Sequence, residues 1–463
     1  MTRGDPMPTP LTIGMFQTMG VSGSWRLPDN TTPGFLTLDY WATLARRSEE
    51  AGVDFLFIAD DFGYPLIDGA VSPTAIEHAL LFPRADPSVL MPALAAVTER
   101  LGLVVTMSTS VERPPALARR MATLDHLTGG RIGWNVVTGA GQNASARLFG
   151  EEMRAHDDRY AAAEDYLNLT MTLWEGSWED DALLVDRATG VYADASKVHE
   201  IHYRGPFYTS DGVFTTPPSP QRTPLLFQAG ASSKGRDLAA RFAEAVFLAA
   251  EPDAVRDQIA DIRARAAAAG REPDAIKFLV AGTFIVGPTT QDALDLREQI
   301  TAFVTTDDAG VQYAFFTGLD LLAMDPAKPL ATTESEQGRT NIERFTGDGE
   351  TAAPTVAEIL EEFRVNGVMG RPFLGTPTEA VDQVESLMKH TGADGLLVQP
   401  GPTGDSASFF ELVVPELRRR GLMAPAAVPD APVTTLRERL FPAGDGGPHL
   451  RSSHPGYGLR AGR

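Results

Sequence analysis

The feature that most constrains the fold of this chain is a regular alternation of short apolar segments with longer amphipathic ones. Eight segments have the length and apolar content of buried strands, and helical patterns separate nearly all of them. Strands joined in this way run parallel through right-handed crossovers, and eight such units favour a closed (β/α)8 TIM barrel. The predicted strands are 11–18, 54–60, 101–109, 131–138, 224–230, 245–250, 277–287 and 394–400.

Helix signals support the same order of elements. Asp86 followed by Pro87 is typical of a helix start. The alternative fold, a doubly wound open sheet, usually has a glycine-rich turn after its first strand, whereas "TMGVSGSWRLPDN" contains no G-x-G-x-x-G pattern. The predicted helices are 37–51, 86–100, 114–127, 157–175, 234–243, 253–269, 290–304, 376–391 and 406–420.

Two polar stretches interrupt the alternation, and the chain ends in an irregular tail. We predict a first insertion at about 176–222, after strand four, and a second at about 305–375, after strand seven. Residues 1–422 then form a single barrel domain, because a barrel with insertions can fill this length. The tail, 423–463, is rich in Pro, Gly and Arg, and we expect an extended or partly disordered arm.

Composition excludes several kinds of function. The chain has no cysteine, which removes disulfides, thiolate nucleophiles and thiolate-ligated metals. Its net charge of -21 makes nucleic acid and anionic membranes poor partners. No apolar run approaches the ~18 residues of a membrane span, and the first ten residues lack an apolar signal core. We therefore expect a cytoplasmic protein.

Polar residues follow several of the predicted strands, where a barrel of this type places its active site. Asp60 and Asp61 end strand two, and Thr106 lies near the end of strand three. Asn135 interrupts the apolar strand "RIGWNVVT", with the bulky Ile, Trp and Val residues on the opposite side of the strand from it. An amide is unusual in such a strand, and we interpret it as part of a ligand site. The two aspartates could instead cap the next segment.

The turn "QAGASSKGR" after strand five has the properties of a phosphate site. Gly230, Ser232 and Ser233 are small and lead directly into a helix, whose first amides are free to bind an anion. Lys234 and Arg236 add positive charge to an otherwise acidic protein. A plain serine cap of the helix is the alternative explanation.

Four longer motifs together resemble a known family. "LDHLTGGRIGWNVVTG", "ARLFG", "HDDRYAAAEDYL" and "QAGASSKGRDLAA" are similar to the flavin-dependent monooxygenases of the bacterial luciferase-like superfamily, and most closely to the group of nitrilotriacetate and dibenzothiophene-sulfone monooxygenases. The resemblance covers roughly residues 10–422. It implies an enzyme that receives FMNH2 from a separate NAD(P)H:flavin reductase, reacts with O2 through a C4a-(hydro)peroxyflavin, oxygenates a small organic substrate, and forms a homodimer or homotetramer.

The resemblance also assigns roles to the residues singled out above. Asn135 matches the amide that faces the isoalloxazine ring, and it shares the expected catalytic work with His156. His156 is the candidate proton donor or acceptor, because an unperturbed imidazole titrates near neutrality; a solvent-facing ring at the helix start is the alternative. The other implied cofactor contacts are Asp60, Thr106, Tyr160, Ser232 for the phosphate, and Ser233 and Gly230 beside it.

The chain departs from the family pattern at two positions after strand four. Leu148 replaces an amide in "ARLFG", and Gly139 replaces a serine after "NVVT". Both changes lower polarity near the expected substrate. A polycarboxylate substrate would need a cluster of cations, for which Arg26, Arg84 and Arg113 are candidates. We favour a neutral aromatic or heteroaromatic substrate with oxidative cleavage of a C–S, C–N or C–halogen bond.

Three other interpretations stay open at this point. A deazaflavin (F420)-dependent oxidoreductase would share the barrel, and a non-catalytic flavin-binding protein would share the pocket. The "HEIH" motif at His199 and His202 could suggest a metal, but it lacks a third ligand, and we expect no metal. Asp125 and His126 are interpreted as a structural pair at a helix end.

Overall fold

The computed structural model describes residues 10–139, 142–230, 232–330, 353–367, 372–404, 406–424 and 433–462. Parts of the second insertion (331–352 and 368–371) and of the tail (425–432 and 463) therefore lie outside the described residues. The residues singled out for the site are all within them.

Within the described residues, eight parallel strands close into a barrel, which confirms the predicted TIM barrel. The barrel strands are β1 Thr12–Thr18, β2 Phe55–Ala59, β5 Gly102–Ser108, β6 Ile132–Val137, β11 Leu225–Gln228, β12 Ala245–Leu248, β13 Lys277–Gly282 and β16 Gly395–Val398. Around the barrel they follow the order β1-β16-β13-β12-β11-β6-β5-β2.

Short two-stranded sheets occupy the connections between barrel strands. The predicted strand 277–287 divides at Thr283, where the chain leaves the barrel and continues as a strand of one of these sheets. These two-stranded sheets pair β3 Leu66–Ile67 with β4 Ala70–Val71, β7 Leu183–Asp186 with β8 Val191–Ala193, β9 Ile201–Arg204 with β10 Thr209–Gly212, and β14 Phe284–Val286 with β15 Phe373–Gly375.

The helices surround the barrel and lie mostly where the sequence predicts them. In chain order they are α1 Leu38–Glu50, α2 Pro73–Glu77, α3 Met91–Ala95, α4 Pro114–Thr128, α5 Gln142–Leu148, α6 His156–Gly176, α7 Ser233–Phe242, α8 Pro252–Ala268, α9 Thr290–Ala302, α10 Thr306–Thr317, α11 Val356–Asn366, α12 Pro377–Thr391, α13 Val414–Arg419 and α14 Leu436–Leu440.

One predicted helix is wrong in extent, and a proline explains the difference. The prediction of one helix over 86–100 fails because Pro92 has no N–H to donate to residue 88; a 3-10 turn at Pro87–Val89 and the short α3 form instead. The predicted helix 406–420 is helical from residue 407 to residue 419, with a π-turn at Phe409–Val413 immediately before α13, which contains Pro415.

The strand β6 divides its side chains between two layers, as its sequence predicts. Ile132, Trp134 and Val136 belong to the apolar layer between barrel and helices. On the opposite side, a Cβ at Gly133 would lie 3.0 Å from the ring of Phe227 in the barrel interior. This side of the strand is therefore the one that carries Asn135 toward the interior.

The tail is not a disordered arm over its described part, 433–462. Leu436, Leu440 and Phe441 join the cluster of side chains that fills the barrel interior, which includes Phe55 and Phe227. The Leu436 amide also donates to the carbonyl of Gly130, just before β6. The tail thus packs across the end of the barrel opposite the carboxyl ends of the strands. The domain boundary at residue 422 stays a prediction.

The insertions lie on the outside of this barrel. The first insertion forms the β7–β8 and β9–β10 hairpins. The described part of the second insertion contains α10, α11 and β15, and α10 packs beside the hairpin β3–β4 and the helix α2. Within the described part of the chain, every helix is too short or too polar to span a bilayer.

Candidate functional site

A cavity of about 410 Å³ opens at the carboxyl ends of the barrel strands. Its floor contains three aromatic side chains, Phe16 of β1, Phe57 of β2 and Phe247 of β12. Phe16 and Phe57 are stacked with ring centroids 5.6 Å apart, and Phe247 lies 6.0 Å from Phe16. The volume suits a small-molecule cofactor, and the apolar aromatic floor suits a ring system, with Phe247 tilted by 37° against Phe16.

The wall above β6 and β11 carries amide groups with unused hydrogen-bonding capacity. Asn135 Nδ2 donates to Thr106 Oγ1 at 2.9 Å, so the strand-three threonine orients the strand-four amide. Among the described residues, Asn135 Oδ1 and Gln228 Oε1 are buried without a hydrogen-bond partner. Buried acceptors without partners are costly, and these two border the cavity. They are available to donors of a bound ligand.

The turn after β11 has no room for a side chain at Gly230. A Cβ at Gly230 would overlap Gln228 Nε2 and would lie 2.9 Å from Tyr160 Oη. Gly235 approaches the same turn so closely that its own Cβ would lie 2.7 Å from the Gly230 carbonyl oxygen. The amide end of α7 thus stands directly beside Gly230, which lines the cavity.

Ser232 and Ser233 start the helix α7 next to this turn. Ser232 Oγ accepts from the Gly235 amide at 3.2 Å, so the capping alternative holds for Ser232. Neither serine is among the described residues that line the cavity. Arg236, expected to add charge here, forms an ion pair with Asp261 at 2.5 Å.

Tyr160 and His156 lie one turn apart on α6 and occupy different positions relative to the cavity. Tyr160 lines it. His156 is buried behind Tyr160, with ring centroids 5.0 Å apart, and its Nδ1 lies 2.9 Å from Asp157 Oδ1. The solvent-facing alternative for His156 is therefore wrong. Among the described residues that line the cavity, Tyr160 is present and His156 is not, and the two rings are in contact.

Asp60, Asp61 and Arg84 form a charged group on the opposite wall. Burial raises the pKa of Asp60 to about 6, although the backbone N–H of Asp61 and the charge of Arg84 act in the other direction. Burial likewise lowers the pKa of Arg84, and the two carboxylates oppose that shift. Asp61 also accepts from the Gly63 amide, as a turn-capping residue does.

A second cavity of about 360 Å³ lies beside the first, above β1, β13 and β16. The two cavities share Phe16, Thr18, Leu81 and Arg84 in their walls. Much of the polar lining of the second cavity is uncharged, and it includes Ser22, Ser24, Thr283, Gln312, Asn366 and Gln399.

Two segments cover the mouth of these cavities. Leu81, from the loop after β2, and Phe315 and Phe316, from α10, line the first cavity from above. The two segments are joined by His78 Nδ1, which lies 2.5 Å from Oδ1 of the buried Asp308. The cover therefore combines the loop after strand two, which the sequence analysis did not identify as a lid, with the second insertion.

The positions of Leu148, Gly139 and the candidate arginines bear on the expected polarity of the substrate. Leu148 is 58% exposed on α5 and does not line either cavity among the described residues, so its effect on substrate polarity is withdrawn. Gly139 does line the first cavity, and its φ of 95° explains glycine there. Of the three candidate arginines, Arg84 alone lines a described cavity wall; Arg26 donates to the Phe303 carbonyl, and Arg113 precedes α4.

The remaining candidates serve the scaffold. Asp125 is buried and accepts two hydrogen bonds from Gln221, as expected of a structural residue. His199 pairs with Glu179, and His202 with Asp211. The described residues contain no group of three side chains suited to a metal ion.

Sequence reasoning missed Gln228 and the aromatic floor. Gln228 had a signal, because it is the last residue of an apolar strand and precedes the small-residue turn. The floor had none, since Phe16, Phe57 and Phe247 come from strands far apart in the chain. Only barrel closure brings them together.

The family model for luciferase-like monooxygenases matches residues 17–395. Dimethyl-sulfide monooxygenase of Hyphomicrobium sulfonivorans is 37% identical over 439 residues, which are 94% of this chain and 89% of that protein. Long-chain alkane monooxygenase of Geobacillus thermodenitrificans strain NG80-2 is also 37% identical, over 91% of both chains.

A solved structure is more similar still. The crystal structure of a riboflavin lyase with modified FMN and its substrate riboflavin superposes with a TM-score of 0.91 at 42% sequence identity. The match covers 98% of this chain and all of that one.

Proposed function

The chain belongs to the luciferase-like monooxygenase family, and we propose that it is the oxygenase of a two-component system, using FMNH2 and O2 to oxygenate a small neutral aromatic or heteroaromatic molecule. It is a flavin-dependent monooxygenase by its relatives. The observation that carries the proposal is the pair of adjoining cavities, one with an aromatic floor and unpaired amide oxygens, the other with a mainly apolar lining whose polar groups are mostly uncharged.

The residues of the first cavity fit FMN. The aromatic floor of Phe16, Phe57 and Phe247 suits an isoalloxazine ring, and the oxygens of Asn135 and Gln228 match its N–H groups. Gly230, next to Gln228, and the amide end of α7 suit a phosphate. We assign the remaining contacts to Asp60, Thr106, Tyr160, Ser232 and Ser233, with His156 supporting Tyr160.

Bound reduced FMN supplies the electrons that activate O2, and the chain supplies position and exclusion of water. Leu81, Phe315 and Phe316 cover the first cavity with apolar surface, which protects a reactive species from hydrolysis. Asn135, oriented by Thr106, fixes the ring against the β6 wall. Asp60, with a pKa of about 6, can hold a proton near the ring at mildly acidic pH.

A separate NAD(P)H:flavin reductase is the implied partner. The two cavities are taken up in this proposal by flavin and substrate, and we assign the reduction of flavin to that separate protein. A homodimer or homotetramer is the assembly that the resemblance implies.

The substrate class follows from the second cavity. A polycarboxylate would require several unpaired cations, whereas Arg364 is already paired with Glu361 at 2.7 Å. The riboflavin lyase structure contains modified FMN and the substrate riboflavin, which has a planar heteroaromatic ring, and this supports a similar substrate here with cleavage of a C–S, C–N or C–halogen bond. A small thioether or an alkane, as in the two named relatives, is the second candidate because the shared wall is apolar at Phe16 and Leu81.

The first test measures anaerobic binding of reduced FMN, oxidised FMN and F420, with quenching of tryptophan fluorescence as the signal. We expect reduced FMN to bind most tightly. Preference for F420 would replace oxygenation by hydride transfer. Tight FMN binding without substrate-dependent oxygen uptake, with riboflavin, an aromatic sulfone, dimethyl sulfide and hexadecane each supplied in turn, would indicate a non-catalytic flavin-binding protein.

A further inference from the structure

Arg84 occupies the boundary between the two cavities, and we propose that it is a specificity-determining residue, which donates hydrogen bonds to a neutral acceptor oxygen of the substrate. The acceptor is a carbonyl or sulfonyl oxygen attached to the aromatic framework. This inference rests on the proposed function, because it assumes that flavin and substrate occupy the adjoining cavities.

The backbone around Arg84 is fixed to the end of the first strand. Arg84 forms a bridge with Gly20, and the Ala85 amide donates to the Met19 carbonyl at 2.9 Å. The guanidinium carbon lies 5.8 Å from the centroid of the Phe315 ring in the lid. The side chain is therefore held between the β1 end and α10, where it borders both cavities.

The guanidinium has donors to spare. Among the described residues, none accepts a hydrogen bond from the Arg84 side chain, and none forms an ion pair with it. The other cation of the second cavity wall, Arg364, uses its donors on Glu361 and on the Thr301 carbonyl. A guanidinium carries five N–H donors, and Arg84, which is half-buried, borders both cavities, where these donors can reach a ligand. A ligand acceptor would satisfy them.

The charges around Arg84 select a neutral acceptor over an anion. Asp60 and Asp61 lie close enough to raise the pKa of Arg84 against the opposing effect of burial. One guanidinium with two ionised carboxylates has a net charge of about -1 near neutral pH. A substrate carboxylate or sulfonate placed beside Arg84 would meet both aspartates as well. A carbonyl or sulfonyl oxygen accepts the same hydrogen bonds without that repulsion.

The test uses a pair of ligands that differ by one acceptor oxygen, 9-fluorenone and fluorene. Binding to the FMN-loaded protein is measured by equilibrium dialysis for the wild type, R84M and R84K. We expect R84M to weaken fluorenone binding by about tenfold or more, the effect of one hydrogen bond to a charged donor, and to leave fluorene binding within about twofold. R84K keeps the charge without the planar fork of donors and should lie between the two.

Four outcomes would overturn the assignment. An equal loss for both ligands would make Arg84 a packing residue, and unchanged binding of both would remove it from the substrate site. A loss of FMN affinity in R84M, with both ligands still bound, would make Arg84 a flavin contact. Failure of the wild type to bind either ligand while it binds FMN tightly would reject the aromatic substrate class and this inference with it. Failure to bind FMN at all would instead reject the proposed function.

Discussion

At the scale of single residues, the proposed flavin site requires that Gly230 has no side chain. A Cβ there would overlap Gln228 Nε2 and lie 2.9 Å from Tyr160 Oη, so both polar groups would have to move. Distances below 3.0 Å to a Cβ are sterically repulsive, and Gln228 is buried with little room to shift. The glycine therefore keeps open the position that we assign to the phosphate end of FMN.

We expect Gly230→Ala to weaken binding of reduced FMN by at least about tenfold, since displaced Gln228 and Tyr160 would occupy ligand space. The matched control is Gly458→Ala, where a Cβ has nothing within 4 Å. The measurement is anaerobic tryptophan quenching for both variants, with circular dichroism to check the fold. Unchanged flavin affinity in Gly230→Ala would remove this turn from the site.

Asp60 makes stability depend on pH in a direction opposite to that of most carboxylates. Its folded-state pKa is raised from 3.8 to about 6, so the folded protein binds the proton more tightly than the unfolded chain. The contribution of Asp60 to the free energy of unfolding therefore falls as pH rises from about 4 to 6 and is constant above that window. A shift of this size corresponds to on the order of 2 kcal/mol, after allowance for solvent screening at this partly exposed group.

We expect Asp60→Asn to be more stable than the wild type above pH 6 and to lose this advantage toward pH 4. Urea unfolding at several pH values, without flavin, measures the difference. A stability difference that is constant with pH would show that Asp60 titrates normally in the folded state.

At the scale of elements, strands were easier to predict than helices for a physical reason. The strand β6 is fixed by alternation within six residues, which places Asn135 inside and Trp134 outside from local information alone. The segment 86–100 has the right apolar spacing for one helix, but Pro92 inside it removes a backbone donor, and only a 3-10 turn and the short α3 form. In the predicted helix 406–420, Pro415 also lies inside the pattern, and the segment stays helical with a π-turn before the proline.

The lid elements share a polar contact between the half-buried His78 and the buried Asp308, beside an apolar cluster of Ala75, Leu80 and Val311. Asp308 also caps α10 through Thr305, so loss of the imidazole would leave one buried carboxylate oxygen without a partner. We expect His78→Ala to speed hydrogen exchange in α2 and α10 by about tenfold, with little change in the barrel, because the unsatisfied oxygen costs ~1–3 kcal/mol locally.

The control for this contact is His390→Ala, which removes a similar but exposed pair with Asp253 on the outer helices. Exchange in α2 and α10 should not respond to it. If His78→Ala loosens the lid, more reduced flavin should also be oxidised without product formation. Equal exchange in both variants would show that the two lid elements are held together by other contacts.

At the scale of the whole molecule, the barrel topology predicted where the site lies, but it did not predict that the tail covers the opposite end of the barrel. Eight βα units bring the carboxyl ends of all strands to one rim, and Asp60, Thr106 and Asn135 meet there for that reason. The tail has no such regularity, and its few apolar residues are separated by polar ones. Their burial depends on contacts with strands hundreds of residues earlier, which local patterns do not record.

The tail is held by a buried ion pair between Arg437 and Glu244. Arg437 Nε donates to Glu244 Oε1 at 2.7 Å, and the two side chains are 2% and 6% exposed. Burial alone would raise the pKa of Glu244, but the adjacent guanidinium outweighs it and lowers that pKa. The carboxylate therefore stays ionised inside the barrel base, and it depends on Arg437 for that state.

We expect Arg437→Ala to destabilise the protein by about 3–5 kcal/mol in urea unfolding, because it leaves Glu244 buried and unpaired. Arg256→Ala, at an exposed pair with Asp253, should leave the free energy of unfolding nearly unchanged. The double variant Arg437→Met with Glu244→Leu removes both charges and should recover most of the loss. A double variant as unstable as Arg437→Ala would show instead that Arg437 acts through its hydrogen bonds to the Thr223 and Pro448 carbonyls, which join the tail to the barrel.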